Sequence, residues 1–185
     1  PKRALSALLD LSLDPRPKIR KRALEAIHRI LENPPIAPTA EHVAAGTIAI
    51  FAINQLADVL NEYSNLSSKQ LKAQTVKDDI NSKIIKSLRL ISTIVSSGQW
   101  PTAQIEPLCD MLLEVTKSSD QYLVSTSFEC FEKLFNSMAE STVAAGLAED
   151  KYLKVIDTIF QLKPSNNDTH LVGAWIAVVV KGMTT

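Results

Sequence analysis

The chain has 185 residues, 45% hydrophobic and 22% charged, with no net formal charge at pH 7. That length supports one domain with a sizeable core, and that composition excludes a disordered chain. The longest apolar run, LVGAWIAVVV at 171–180, is about half of what a membrane-spanning helix needs.

The charge is unevenly placed. Residues 1–31 hold eight Lys or Arg and three acids, a net +5, which leaves −5 for the rest. A basic end suits an acidic partner, and the acidic body does not. The chain opens on Pro1 rather than Met, and both ends break into helical pattern. A fragment of a longer protein is therefore expected.

The first element is a short apolar helix carrying Leu5, Leu8 and Leu9, turned at Leu13–Arg16. The segment DPRPKIRKRALEAI follows. Its Ile19, Ala23, Ala26, Ile27 and Ile30 fall at i, i+4, i+7, i+8 and i+11, the buried stripe of one helix. Pro17 fits the first turn, where its missing N–H costs nothing, with Asp14 in the turn before it. Asn33-Pro34-Pro35 ends this helix, since proline cannot continue the ladder. Residues 2–32 thus form a helical hairpin.

A second pair spans about 39–97. Its first helix carries Val43, Ala44, Ile48, Phe51, Leu56, Val59 and Leu60, and its second starts near Val76 with Ile80, Ile84, Ile85, Leu88, Ile91, Ile94 and Val95. The polar stretch between them predicts a loop with a little helix, and Gly98-Gln-Trp-Pro101 a stop and restart. The third pair, 102–140, has Ile105, Leu108, Leu112 and Val115, then an aromatic stripe of Phe128, Phe131 and Phe135 with Leu134. Asp120 is placed to cap its second helix. The fourth pair, 149–182, is split by a polar turn at Pro164–Asn167, and a short helical turn near Val143–Leu147 bridges pairs three and four. No segment alternates over a strand length. Second helices start near residues 17, 76, 120 and 168, and the last two intervals lie near the ~40–47 residues of helical-hairpin repeats. The predicted fold is all-α, an α-solenoid of stacked antiparallel helical pairs.

Chemistry is sparse. His28, His42 and His170 have no second ligand at metal spacing, and the five glycines are isolated, so no loop cradles phosphate. Asp78-Asp79 and Glu149-Asp150 read as acids at helix starts, where carboxylates favour the positive end of the dipole. Cys109 and Cys130 sit among apolar residues and read as buried, reduced thiols of an intracellular protein. No catalytic, cofactor-binding or metal residue is assigned, and the protein reads as a non-enzyme.

The basic segment is what remains. With Ile19 at the centre of the buried stripe and 100° per residue, Lys18, Lys21, Arg22 and Arg29 project from the opposite half of the helix. Arg20 falls at the edge, where its stem packs and its guanidinium reaches an acid of a neighbouring repeat. Three readings stay open: a solvated charged face, contact with phosphates, and a nuclear-import cluster, which receptors read as extended peptide rather than helix.

The phrase formed by Asp14, Pro15, Ile19, Arg20, Ala23, Ala26 and Ile27 resembles the signature of HEAT repeats. More widely, DLSLDPRPKIRKRALEAIHRILENPP, KSLRLISTIVSSGQWP, PLCDMLLEVTKSSDQYLV and FECFEKLF resemble the amino-terminal HEAT region of the ribosomal RNA-processing protein 12 family. That resemblance implies a nucleolar and nuclear helical scaffold of pre-ribosomal particles, shuttling to the cytoplasm. It implies contact with assembly proteins and support of small-subunit assembly and export. Taken with the basic helix it points to precursor ribosomal RNA phosphates, and the residues themselves lead to the expectation of no cofactor and no membrane. A karyopherin-like receptor binding a small GTPase and cargo is the alternative, for which the acidic body would serve basic cargo.

Overall fold

The computed structural model describes residues 2–33, 42–67, 69–140, 147–165 and 167–185. Among them are eight α-helices: α1 (Lys2–Ser12), α2 (Pro17–Glu32), α3 (Ala45–Ser64), α4 (Gln74–Ser96), α5 (Ile105–Val115), α6 (Gln121–Glu140), α7 (Glu149–Gln161) and α8 (Thr169–Thr184). Short 3-10 turns lie at Gln70–Lys72 and Thr102–Gln104, and no strand occurs among the described residues. The expected start at Thr39, the prolines at 34 and 35, and most of the turn expected at 143–147 lie outside the described residues. The chain forms two compact units, Pro1–Trp100 and Pro101–Thr185.

In the first unit α1 pairs with α2, α3 pairs with α4, and α2 also packs on α4. Pro17 occupies the opening turn of α2, as its fixed φ favours. The buried line of α2 runs along Ala23, Ile27 and Leu31, while Ile19, Ala26 and Ile30 are only half-buried. This corrects the placement of Ile19 at the centre. Two neighbours cover α2, so its buried line falls between the stripes that each alone would select. In α3, Ile48, Leu56 and Val59 are buried with Ala45, Ala49 and Ala52. Val43 is not core but 90% exposed, since it precedes the helix. The second helix begins at Gln74 rather than near Val76, so Asp78 and Asp79 lie beyond its first turn. Their carboxylates serve side-chain partners instead: Asp78 accepts from Gln74 Nε2 (2.7 Å), and Asp79 pairs with Lys83 (2.9 Å). Gly98 ends α4 in the left-handed region at φ 69°, its N–H donating to Val95 O (3.0 Å).

In the second unit α5 packs on α6 and α7, and α8 packs on α6 and α7. Phe128, Phe131 and Phe135 are fully buried, so the aromatic stripe of α6 is core. Phe135 stacks on Phe131 (5.8 Å between centroids) and meets Tyr152 of α7 edge-on (5.4 Å). Asp120 caps α6 by accepting from the Tyr122 and Leu123 amides (2.9 and 3.3 Å). Asp168 caps α8 by accepting from Leu171 N (2.9 Å), and Glu149 and Asp150 do lie in the first turn of α7.

Candidate nucleic-acid interface

The site begins at the turn between α1 and α2. Asp14 Oδ1 accepts from the Arg16 amide (2.8 Å) and from Arg16 Nε (2.9 Å), and its Oδ2 from Arg16 Nη2 (2.8 Å). These bonds hold the Asp14 carboxyl at about 2, against its ordinary 3.8, with lesser help from the charges of Arg16 and Arg20. Arg16 is thereby committed to the turn. Arg20 is committed as well, but not to a neighbouring repeat's acid. Its Nη1 donates to the Asp14 carbonyl (2.7 Å) and the Pro15 carbonyl (3.4 Å). Helical side chains lean toward the amino terminus. From one turn inside α2, Arg20 therefore reaches back over carbonyls that have no helical donor.

The remaining cations are free of such duties. Lys18, Lys21, Arg22 and Arg29 are all exposed, opposite the line of Ala23, Ile27 and Leu31. Lys18, Arg22 and Arg29 stand at i, i+4 and i+11, a stripe about 16 Å long at 1.5 Å rise per residue. Lys21 flanks it, its Nζ 3.9 Å from Glu25 Oε1, and this exposed pairing leaves the lysine available. His28 Nε2 lies 3.2 Å from Glu32 Oε1 on the same helix. Of the signature residues, Ala23 and Ile27 are buried, Asp14, Ile19, Arg20 and Ala26 half-buried, and Pro15 exposed. The structure thus divides the basic cluster into a turn-stabilising pair and an outward stripe.

Elsewhere the polar groups serve packing. Lys83 bridges Glu62 of α3 (3.0 Å) and Asp79 of α4 (2.9 Å), and hydrogen bonds to these two carboxylates, Asp79 foremost, raise its pKa. The Asp79–Lys83 spacing was open to sequence reading, but Glu62, 21 residues away, was not. A cleft of about 390 Å³ beside this bridge is lined by Leu13, Gln55, Asp58, Val59, Lys86 and Ser87, among others, and holds neither histidine nor cysteine. Cys109 and Cys130 are buried and form no disulfide, and burial pushes both thiols up to about 12, which leaves them protonated. Among the described residues, no cluster of His, Cys, Asp and Glu could hold a metal, and no helix is long and apolar enough to cross a membrane.

The chain is 66% identical over all 185 residues to ribosomal RNA-processing protein 12 of Saccharomyces cerevisiae. The family likeness read from the residues is therefore shown over the whole chain. A protein of Schizosaccharomyces pombe, provisionally given the ribosomal RNA-processing protein 12 name, is 23% identical over 175 residues. The chain spans 15% and 14% of the lengths of these two relatives. The match to the Saccharomyces ribosomal RNA-processing protein 12 runs through the basic helix as well as through the Trp100-Pro101 junction. No protein-family model matches the chain, and no solved structure matches it significantly.

Proposed function

We propose that this chain is a HEAT-repeat segment of a non-enzymatic scaffold that supports ribosomal RNA processing. It would act in the nucleolus and nucleus, within small-subunit precursor particles bound for the cytoplasm. The observation that carries its contact role is the division of the α2 cations. Arg16 and Arg20 are consumed by the turn, while Lys18, Lys21, Arg22 and Arg29 face outward. The names of the two relatives supply the ribosomal RNA. In each unit two helical hairpins lie side by side with their second helices in contact, α2 on α4 and α6 on α8. This pairing supports the stacked-repeat reading, in which neighbouring hairpins share a continuous core. The outward stripe takes up phosphates of the precursor RNA without reading bases, and the acidic remainder meets assembly proteins.

The test is purification of the full-length protein from cells at low salt, beside a variant with Lys18→Glu, Lys21→Glu, Arg22→Glu and Arg29→Glu. The parent is expected to retain precursor ribosomal RNA and assembly factors, and the variant to lose RNA with unchanged helical content. Four engaged phosphates predict that the stripe's share of RNA affinity falls about 50- to 150-fold between 50 and 200 mM salt. Equal RNA binding by parent and variant at every salt concentration makes the stripe a solvated face. Recovery of a small GTPase with soluble cargo, and no precursor RNA, moves the protein to the transport receptors.

A further inference from the structure

The last hairpin exposes apolar surface that its sequence does not place in solvent by chance. Helix α8 carries titratable groups only at His170 and Lys181 and is otherwise apolar or weakly polar all round. A helix of that kind belongs in a core on more than one side. Yet Ile176, Val180 and Met183, at i, i+4 and i+7, are 49%, 56% and 73% exposed. On α7, Leu153 and Phe160, at i and i+7, are 58% and 55% exposed.

These five side chains share one face. Helices α7 and α8 run antiparallel, since Tyr152 Oη donates to Gly182 O (2.6 Å) and Trp175 Nε1 to Ile159 O (2.8 Å). The side of α7 toward α5 is marked by the Lys151–Glu106 ion pair and by Lys154 and Thr158. At about 100° per residue, Leu153 and Phe160 lie on the far side of α7 from that line. On α8, Ile176, Val180 and Met183 are displaced the same way around from Trp175 and Gly182, which face α7. In antiparallel neighbours, equal displacements toward the open side converge on one surface. Contact between the Phe160 and Trp175 rings, 6.0 Å apart, makes that surface continuous across the two helices.

We infer that this surface is the seat of a helical hairpin that follows residue 185 in the full-length polypeptide. A stack of helical repeats needs a polar outer face where it terminates, and an apolar one where it continues. Exposed apolar patches of this kind mark interaction sites. The relatives, of which this chain is only 15% and 14%, have ample polypeptide to supply the hairpin. An intrachain partner is favoured over a second copy because the face lies opposite the neighbour α5, in line with the existing packing. The inference rests on the repeat reading above and names the next contact in that stack.

The test uses the full-length protein with benzoylphenylalanine in place of Phe160. Irradiation is expected to crosslink it, within one chain, to a peptide in the ~45 residues after 185, one repeat length. A crosslink to a second copy or to another protein overturns the inference, and so does no crosslink at all. Independently, the thiol of Val180→Cys in the full-length protein should react with maleimide more than about tenfold slower than that of Lys18→Cys, because only local opening exposes it. Equal rates also overturn it. Loss of precursor RNA binding without change in these readouts breaks the RNA reading and leaves this one standing.

Discussion

Helices α2 and α8 are each the second helix of a hairpin, each packed on its own partner and on the second helix of a neighbouring pair. Their inner faces are alike, Ala23, Ile27 and Leu31 in one and Leu171, Val178 and Val179 in the other. Their outer faces are opposite in kind. The outer face of α2 carries Lys18, Lys21, Arg22 and Arg29, whereas α8 presents Ile176, Val180 and Met183. The inner face answers to the fold. The outer face answers to what lies against it, phosphates in one proposal and polypeptide in the other.

The comparison breaks most readily at the buried faces of the two hairpins, in α2 of the first and α7 of the last. Ile27→Ala and Ile159→Ala each remove a side chain with no exposure and should each cost about 2–5 kcal/mol in denaturant unfolding. A tolerant Ile27 would mean that the basic hairpin is loosely packed and that its similarity to the last one is superficial. The outer faces should then separate sharply in the full-length protein. Val180→Asp is expected to cost about 1–3 kcal/mol if polypeptide covers it, while Lys18→Glu stays within about 0.5 kcal/mol. Equal, small effects would remove the distinction.

Close packing supplies a further contrast. A Cβ at Gly182 would meet the Ile156 side chain and lie 3.3 Å from Phe135 Cε2. Gly182→Ala should cost about 1–2 kcal/mol as Ile156 shifts, read as a lower midpoint of thermal unfolding. At Gly173 a Cβ meets nothing within 4 Å, so Gly173→Ala should stabilise α8 by up to about 1 kcal/mol through helix propensity. The smallest effect belongs to the α1–α2 turn. The Asp14 carboxyl is held at about 2, below its unfolded 3.8. Its contribution is therefore present above 3.8 and lost as the pH falls from 3.8 through about 2. Asp14→Asn should lower stability slightly near neutrality and flatten that part of the acid unfolding curve, so that variant and parent converge below about pH 2.

Much of the helical order was legible because apolar period, proline and aspartate caps act over a few residues. Pro17 and Asp120 each sit where local hydrogen bonding alone requires. The acids at 78 and 79 misled, since the true start of α4 lies four residues earlier, among polar residues with no apolar period to mark it. The outward direction of Lys18, Lys21, Arg22 and Arg29 was readable from the helical wheel. The fate of Arg20 was not, because a guanidinium has several acceptors within reach and only the folded turn selects the Asp14 and Pro15 carbonyls.

The sequence by itself determined an all-helical chain, the approximate helix limits and a basic outer stripe on α2, because those follow from period, propensity and charge along a single helix. Tertiary structure decided which side of α2 is innermost, which cations are spent on the turn, and that α7 and α8 leave one apolar face uncovered. Each of those depends on a neighbour distant in sequence. Two packed helices choose their contact line jointly, and neither carries that choice in its own spacing.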